Sequence, residues 1–238
     1  MERPGSLLTE PAYRARLREA TRTDWRFLLG LSPSDHVVTG GADAERLAHA
    51  LAPWVRDVHG FDEHTGEAPD WVFLTGGATS AGPGGTQDDT LPRAFATLRP
   101  GGHLALALEN RWGLHWLADW RTHRGGDAGR SGDASVETRG PAPRPVRHGL
   151  RWHVDRLQRT GAERIGCYAL LPSCDAPRAI IPIEPPCPPE AQKMALDQVW
   201  QRATPSAALM RRLLGLLVDT GLMHSLYPHY LLVGRKPC

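Results

Sequence analysis

Apolar residues along this chain fall into short, nearly continuous runs separated by stretches with helical spacing. His36-Val37-Val38-Thr39, Asp70 to Leu74 and His103 to Leu108 are apolar or β-favouring runs bounded by glycine, proline or charge. Runs of that kind suit strands buried on both faces of a sheet. Val55 to Phe61, Arg164 to Leu171 and Tyr230 to Arg235 read as further strands. Between them, Ala44 to Trp54 sets Leu47, Ala50, Leu51 and Trp54 on one helical face. Leu91 to Leu98 reads as a helix stopped by Arg99-Pro100-Gly101-Gly102, and Leu150 to Arg159 as another, ended by Thr160-Gly161. The order strand, helix, strand, strand, helix, strand predicts an α/β protein with a mainly parallel sheet covered by helices.

The remaining segments flank or interrupt this pattern. Glu10 to Leu31 reads as one or two amphipathic helices stopped by Ser32-Pro33, so residues 1–34 are expected to form an N-terminal helical cap. Residues 35–238 then make up the main domain. Within it, residues 125–145 are rich in Gly, Arg, Asp and Pro and are expected to be a mobile loop. Residues 172–228 read as an insertion, proline-rich to Pro189 and then helical with a break near Thr204-Pro205. Trp112, Trp116 and Trp120 recur at a spacing that shares a helical face, which reads as packing before it reads as a substrate platform.

Composition narrows the partners. A hydrophobic share of 41% with 23% charged residues permits a full-sized core, and a net charge of +2 gives no footprint for nucleic acid. Cys167, Cys174, Cys187 and Cys238 lack C-x-x-C spacing, and no histidine pair stands at zinc-finger distance from them, so no metal is expected. No run approaches the ~20 apolar residues of a membrane span. The N-terminus has no apolar signal core, so the reading is cytoplasmic and without a membrane partner.

Four segments carry a family likeness. They are HVVTGGADAERLAHALAPWVRDVHGFD, DWVFLTGG, AFATLRPGGHLALALENRWGL, and the pair LRWHVDRLQRTGAERIGCYALLP with PHYLLVGRKP. In layout they resemble the class I S-adenosylmethionine (SAM) methyltransferases, in particular those found with bacterial polysaccharide and natural-product biosynthesis. The resemblance implies a Rossmann-like methyltransferase fold whose mainly parallel sheet has an antiparallel last strand. It implies SAM as cofactor, at the carboxyl ends of the strands where open α/β sheets bind ligands. Cofactor contacts then fall to Thr39, Gly40 and Gly41 after the first strand, to Asp62 or its neighbour Glu63 after the second, and to Thr75, Gly76 and Gly77. The carboxylate of Asp62 is placed for the ribose hydroxyls.

Two departures from the family are plain. The family's acid-x-Gly-x-Gly-x-Gly loop runs here from Thr39 to Glu45, and only Gly41 falls on a family glycine. Asp43 and Glu45 stand at the other two glycine positions, and Asp43 is expected to cap the following helix. The sheet is also shortened, because the helix and third strand that family members place between the second and fourth strands are missing. The link from Asp62 to Asp70 reaches at most about 25 Å when extended, so it must cross nearly straight and without a helix. The sheet edge beside the second strand is then open, or covered by the N-terminal helices around Tyr13 to Leu28 or by a partner, as in a homodimer or a complex with a pathway enzyme.

Catalytic chemistry is less legible. Glu109 follows the fifth strand of the family layout, where substrate groups lie, although helix capping by the adjacent Asn110 explains that site equally. His115 and Asp119 have the spacing of an acid/base pair or of an ordinary helical surface pair. Thr75 to Gly85 lacks the lysine of a phosphate loop, and neither a dinucleotide fingerprint nor a G-x-S-x-G elbow occurs. The sequence therefore points to a SAM-dependent methyltransferase-like protein acting on a small molecule, sugar or peptide in a bacterial biosynthetic pathway. The alternative is a catalytically inactive subunit of the same fold that binds a partner enzyme or a substrate.

Overall fold

A computed structural model describes residues 28–41, 43–64, 66–75, 90–110, 112–114, 149–171, 174, 177–199 and 205–238. Its centre is a sheet of seven strands: β1 (His36–Gly41), β2 (Asp57–Gly60), β3 (Trp71–Thr75), β4 (His103–Glu109), β5 (Glu163–Leu171), β6 (Ala179–Glu184) and β7 (His229–Arg235). Their order across the sheet is β2-β1-β3-β4-β7-β5-β6. β1 pairs in parallel with β2 and β3, and β3 with β4. β7 is antiparallel to both β4 and β5, and β6 is antiparallel to β5. This is a Rossmann-like methyltransferase fold, mainly parallel, in which β6 and β7 run against the other strands.

Alternation along the central strands divides the core between two faces. Val37, Trp71, Phe73, Ala105, Leu231 and Val233 point to one side, where Leu47 and Leu51 of helix α1 (Ala44–Leu51) and Leu29 cover them. Val38, Val72, Leu74, Leu104 and Leu106 point to the other. That side is covered by Leu91, Ala94 and Phe95 of α2 (Thr90–Thr97) and by Leu157 of α3 (Leu150–Arg159). Every residue of β3 is buried, as its uninterrupted apolar run requires.

The β2 to β3 connection crosses without a helix among its described residues. Asp70 fixes its far end: its backbone N–H donates to His36 O (2.9 Å), and its carboxylate accepts from His36 N (2.8 Å) and from the Arg99 guanidinium. Among the described residues no further strand lies between β2 and β3 in the chain, and β2 is the outermost strand on this side.

The insertion differs from its sequence reading. The proline-rich passage contains β6, an edge strand paired with β5. Pro182 is tolerated there because an edge strand has one ladder face without a partner. Helices α4 (Pro189–Val199) and α5 (Pro205–Asp219) follow, and a 3-10 turn, Leu222–Ser225, leads into β7. Leu196, Leu214, Val218 and Met223 join the same core side as α2 and α3. The expected loop at 125–145 and most of the N-terminal cap lie outside the described residues.

Candidate functional site

The carboxyl ends of β1, β2 and β3 lie side by side, with Thr39 in register with Gly60 and Gly41 with Thr75. Each candidate residue has a distinct position there. Thr39 is only 1% exposed, and its hydroxyl is 3.5 Å from His59 O, so its side chain belongs to the sheet interior. A Cβ on Gly40 would stand 2.9 Å from Leu74 Cδ2 and 3.2 Å from Phe61 Cβ. The close approach of Phe61, whose N–H donates to Thr39 O at 2.8 Å, therefore accounts for glycine at this position. Gly41 is exposed at the strand end with φ +102°, a conformation that favours glycine. The Thr75 hydroxyl donates to Gly40 O at 3.4 Å.

Beyond β2, Asp62 is exposed at the turn that follows Phe61. Glu63 is also exposed, but it lines a separate depression together with His36, Asp57 and His59. Gly76 and Gly77 lie outside the described residues, as do His115 and Asp119. Glu109 is exposed at the end of β4, in register with His229.

The expectation that Asp43 caps α1 is corrected. Its backbone is at φ −109°, ψ 16°, no side-chain cap hydrogen bond forms, and its carboxylate pairs with Arg46 one turn on. An arginine at that spacing draws the carboxylate along the helix, away from the first-turn N–H groups. Both effects matter for a ligand: the charge of Asp43 is compensated, and its side chain leaves those N–H groups alone. Glu45 is exposed.

Asn110 has long-range partners that the sequence did not signal. It is buried, and its amide donates to Ser225 O and Tyr227 O, each at 2.8 Å, and to the Tyr230 hydroxyl at 3.3 Å. Its side-chain oxygen accepts from Trp112 N at 3.2 Å. Asn110 thus ties the chain leaving β4 to the chain entering β7. A second buried link joins the Tyr227 hydroxyl to Gln192 Oε1 (3.1 Å) and Gln192 Nε2 to Cys187 O (2.7 Å). Burial holds the Tyr227 phenol far above its usual range, so it stays protonated and acts as a donor.

Sequence reading also missed His36, Asp57 and His59, which meet although Asp57 lies twenty-one positions beyond His36 in the numbering. Only the parallel register of β1 and β2, which sets His36 against Asp57 and Val38 against His59, brings them together. No local spacing motif signals it.

The fold is the Rossmann-like one of methyltransferase domains. Among solved structures, the chain is similar to a SAM-dependent methyltransferase from Archaeoglobus fulgidus, with a TM-score of 0.50 at 9% identity, over 92% of this chain and 94% of that one. It is also similar to a SAM-dependent methyltransferase from Thermotoga maritima, with a TM-score of 0.45 at 12% identity over 94% of each chain. A Bacillus halodurans protein described as a methyltransferase gives 0.44 at 12% identity, over 91% of this chain and 99% of that one. No protein-family model matches the chain, and no curated protein matches it in sequence.

Proposed function

We propose that this chain is a SAM-dependent methyltransferase-like protein that acts on a small molecule, sugar or peptide in a bacterial biosynthetic pathway. The observation that carries the reading is the junction of β1 and α1. There Gly41 exposes its backbone at the sheet's carboxyl end, and Asp43 is turned onto Arg46 instead of capping the helix. Donor groups and a compensated carboxylate at that place suit a ligand that is itself anionic at one end and cationic at its sulfonium.

The residues present fit the cofactor in a definite way. Gly41 and the first turn of α1 would face its methionine end, and Asp62 would accept hydrogen bonds from its ribose hydroxyls. When bound, SAM supplies an electrophilic methyl group. The chain's own task is to hold an acceptor in line with that group and to keep water out, which needs no fixed catalytic triad. Glu109, exposed at the end of β4, would lie on the substrate side of such a site.

A second reading, an inactive subunit that binds a partner, is favoured by two observations. Thr39 is sealed in the sheet where the family has an acid. Leu209, Leu213 and Leu216 are exposed along α5, with Leu209 at 71%. Turnover separates the two readings. The enzyme reading expects S-adenosylhomocysteine to accumulate, by mass spectrometry, when the protein meets SAM and a small-molecule extract of a producing strain. SAM binding with no product over repeated extracts would favour the inactive subunit.

A further inference from the structure

We propose that His36, Asp57 and His59 form a site for one divalent transition-metal ion of the zinc class, at the outer edge of the sheet. The site is separate from the cofactor end: His36 opens β1 and Asp57 opens β2, whereas Gly41 and Asp62 lie where these strands finish.

Three features build it. The first is geometry. One potential ligand atom from each residue lies within 4.8 Å of the other two. His36 Nε2 is 3.9 Å from Asp57 Oδ1, and His59 Nε2 is 3.9 Å from Asp57 Oδ2. Ligands around tetrahedral zinc stand roughly 3.3 Å apart, so side-chain rotations of about an ångström would close the set. His36 is buried in β1, while Asp57 is half-buried and His59 is exposed on β2.

The second feature is unmet hydrogen bonding. His36 is 4% exposed, yet neither of its ring nitrogens has a hydrogen-bond partner, and the buried Oδ1 of Asp57 has none either. Buried polar atoms of a native protein are nearly always satisfied, and exceptions call for a ligand or a function. Both orphaned groups face the same depression, an open hollow of about 280 Å³. The third feature is charge. Asp57, Glu63 and Glu67 line the hollow, with Arg56 its only lining cation among the described residues; Arg56 pairs with Glu67 at 3.1 Å and more loosely with Asp57 Oδ2 at 3.6 Å. The surplus is negative, as a cation requires.

Two imidazoles and one carboxylate are a borderline-soft donor set that suits zinc over calcium or magnesium. Such an ion would tie β2, the outermost of the described strands on this side, to β1. His64 stands beside this set, its ring centroid 5.0 Å from that of His36.

The test is titration of the full chain, free of any histidine tag, with zinc chloride and separately with cobalt chloride. The proposal expects one ion per chain, a rise in Tm with zinc, and a visible cobalt absorption of low-symmetry four- or five-coordinate type. His59→Gln and Asp57→Asn, both at partly exposed positions, should keep the metal-free Tm. Each should weaken zinc binding by about 10- to 100-fold and lose the metal-dependent rise. Absence of zinc binding at micromolar concentrations would overturn the proposal, as would equal affinity in the wild type and both variants. Neither outcome bears on SAM binding, which is measured independently.

Discussion

Gly40 separates packing from binding at the level of single atoms. It lies beneath Phe61 and Leu74, and the Arg93 guanidinium covers the Phe61 ring at 5.4 Å. A methyl group at Gly40 must push Phe61 or Leu74 out of place. Gly40→Ala is expected to destabilise the fold by about 1–3 kcal/mol in urea unfolding, the usual cost of overpacking. His103 makes a second residue-level prediction. It stacks on Trp71 with ring centroids 4.4 Å apart, and burial, together with Arg235 and Arg99, holds its pKa below the usual histidine value. The folded chain therefore binds this proton less readily than the unfolded chain does. Its contribution to stability is complete above the unfolded pKa, near 6.5, and is lost as pH falls through and below that value. Unfolding free energy should thus drop between pH 7.5 and 5, with a smaller drop in His103→Gln.

At the scale of elements, Asn110 holds the insertion to the sheet. Removing its amide leaves the buried Tyr227 carbonyl and the partly buried Ser225 bond without their donor. Asn110→Ala is accordingly expected to cost about 1–3 kcal/mol, and hydrogen exchange should quicken around Leu222–Ser225 before it does in β1 or β3. This element scale also shows what the sequence could reveal. β1, α1, β3, α2, β4 and α3 were legible because their signals are local: apolar runs, helical spacing, and stops such as Pro100-Gly101-Gly102. β6 was hidden because Pro182 argues against a strand unless its edge position is known. The role of Asn110 was hidden because its partners lie more than a hundred positions away. Asp43 looked like a helix cap by residue type, and only the reach of Arg46 redirected it. Of the expected cofactor contacts, the strand register set Gly41 beside Thr75 and left Asp62 in the turn after β2, while Glu63 went to the histidine hollow.

For the whole molecule, the defining feature is the shortened sheet. Dropping a helix and a strand leaves β2 at the edge, short and carrying Asp57 and His59, and charged side chains on a short edge discourage pairing with other chains. The carboxyl ends of β1, β2 and β3, where the proposal sets the cofactor, keep their parallel pairing, and Asp70 clamps the amino ends of β1 and β3 through His36, Arg99 and the backbone. The central claim is that this end still binds SAM, with Asp62 on the ribose. Calorimetric titration of the wild type and Asp62→Ala with SAM and with S-adenosylhomocysteine tests it most directly. The account predicts one site in the wild type and a loss of at least about tenfold in the variant, in line with the ~1.5–3 kcal/mol of a charged hydrogen bond. No binding by the wild type, or equal affinity in the two proteins, would contradict it.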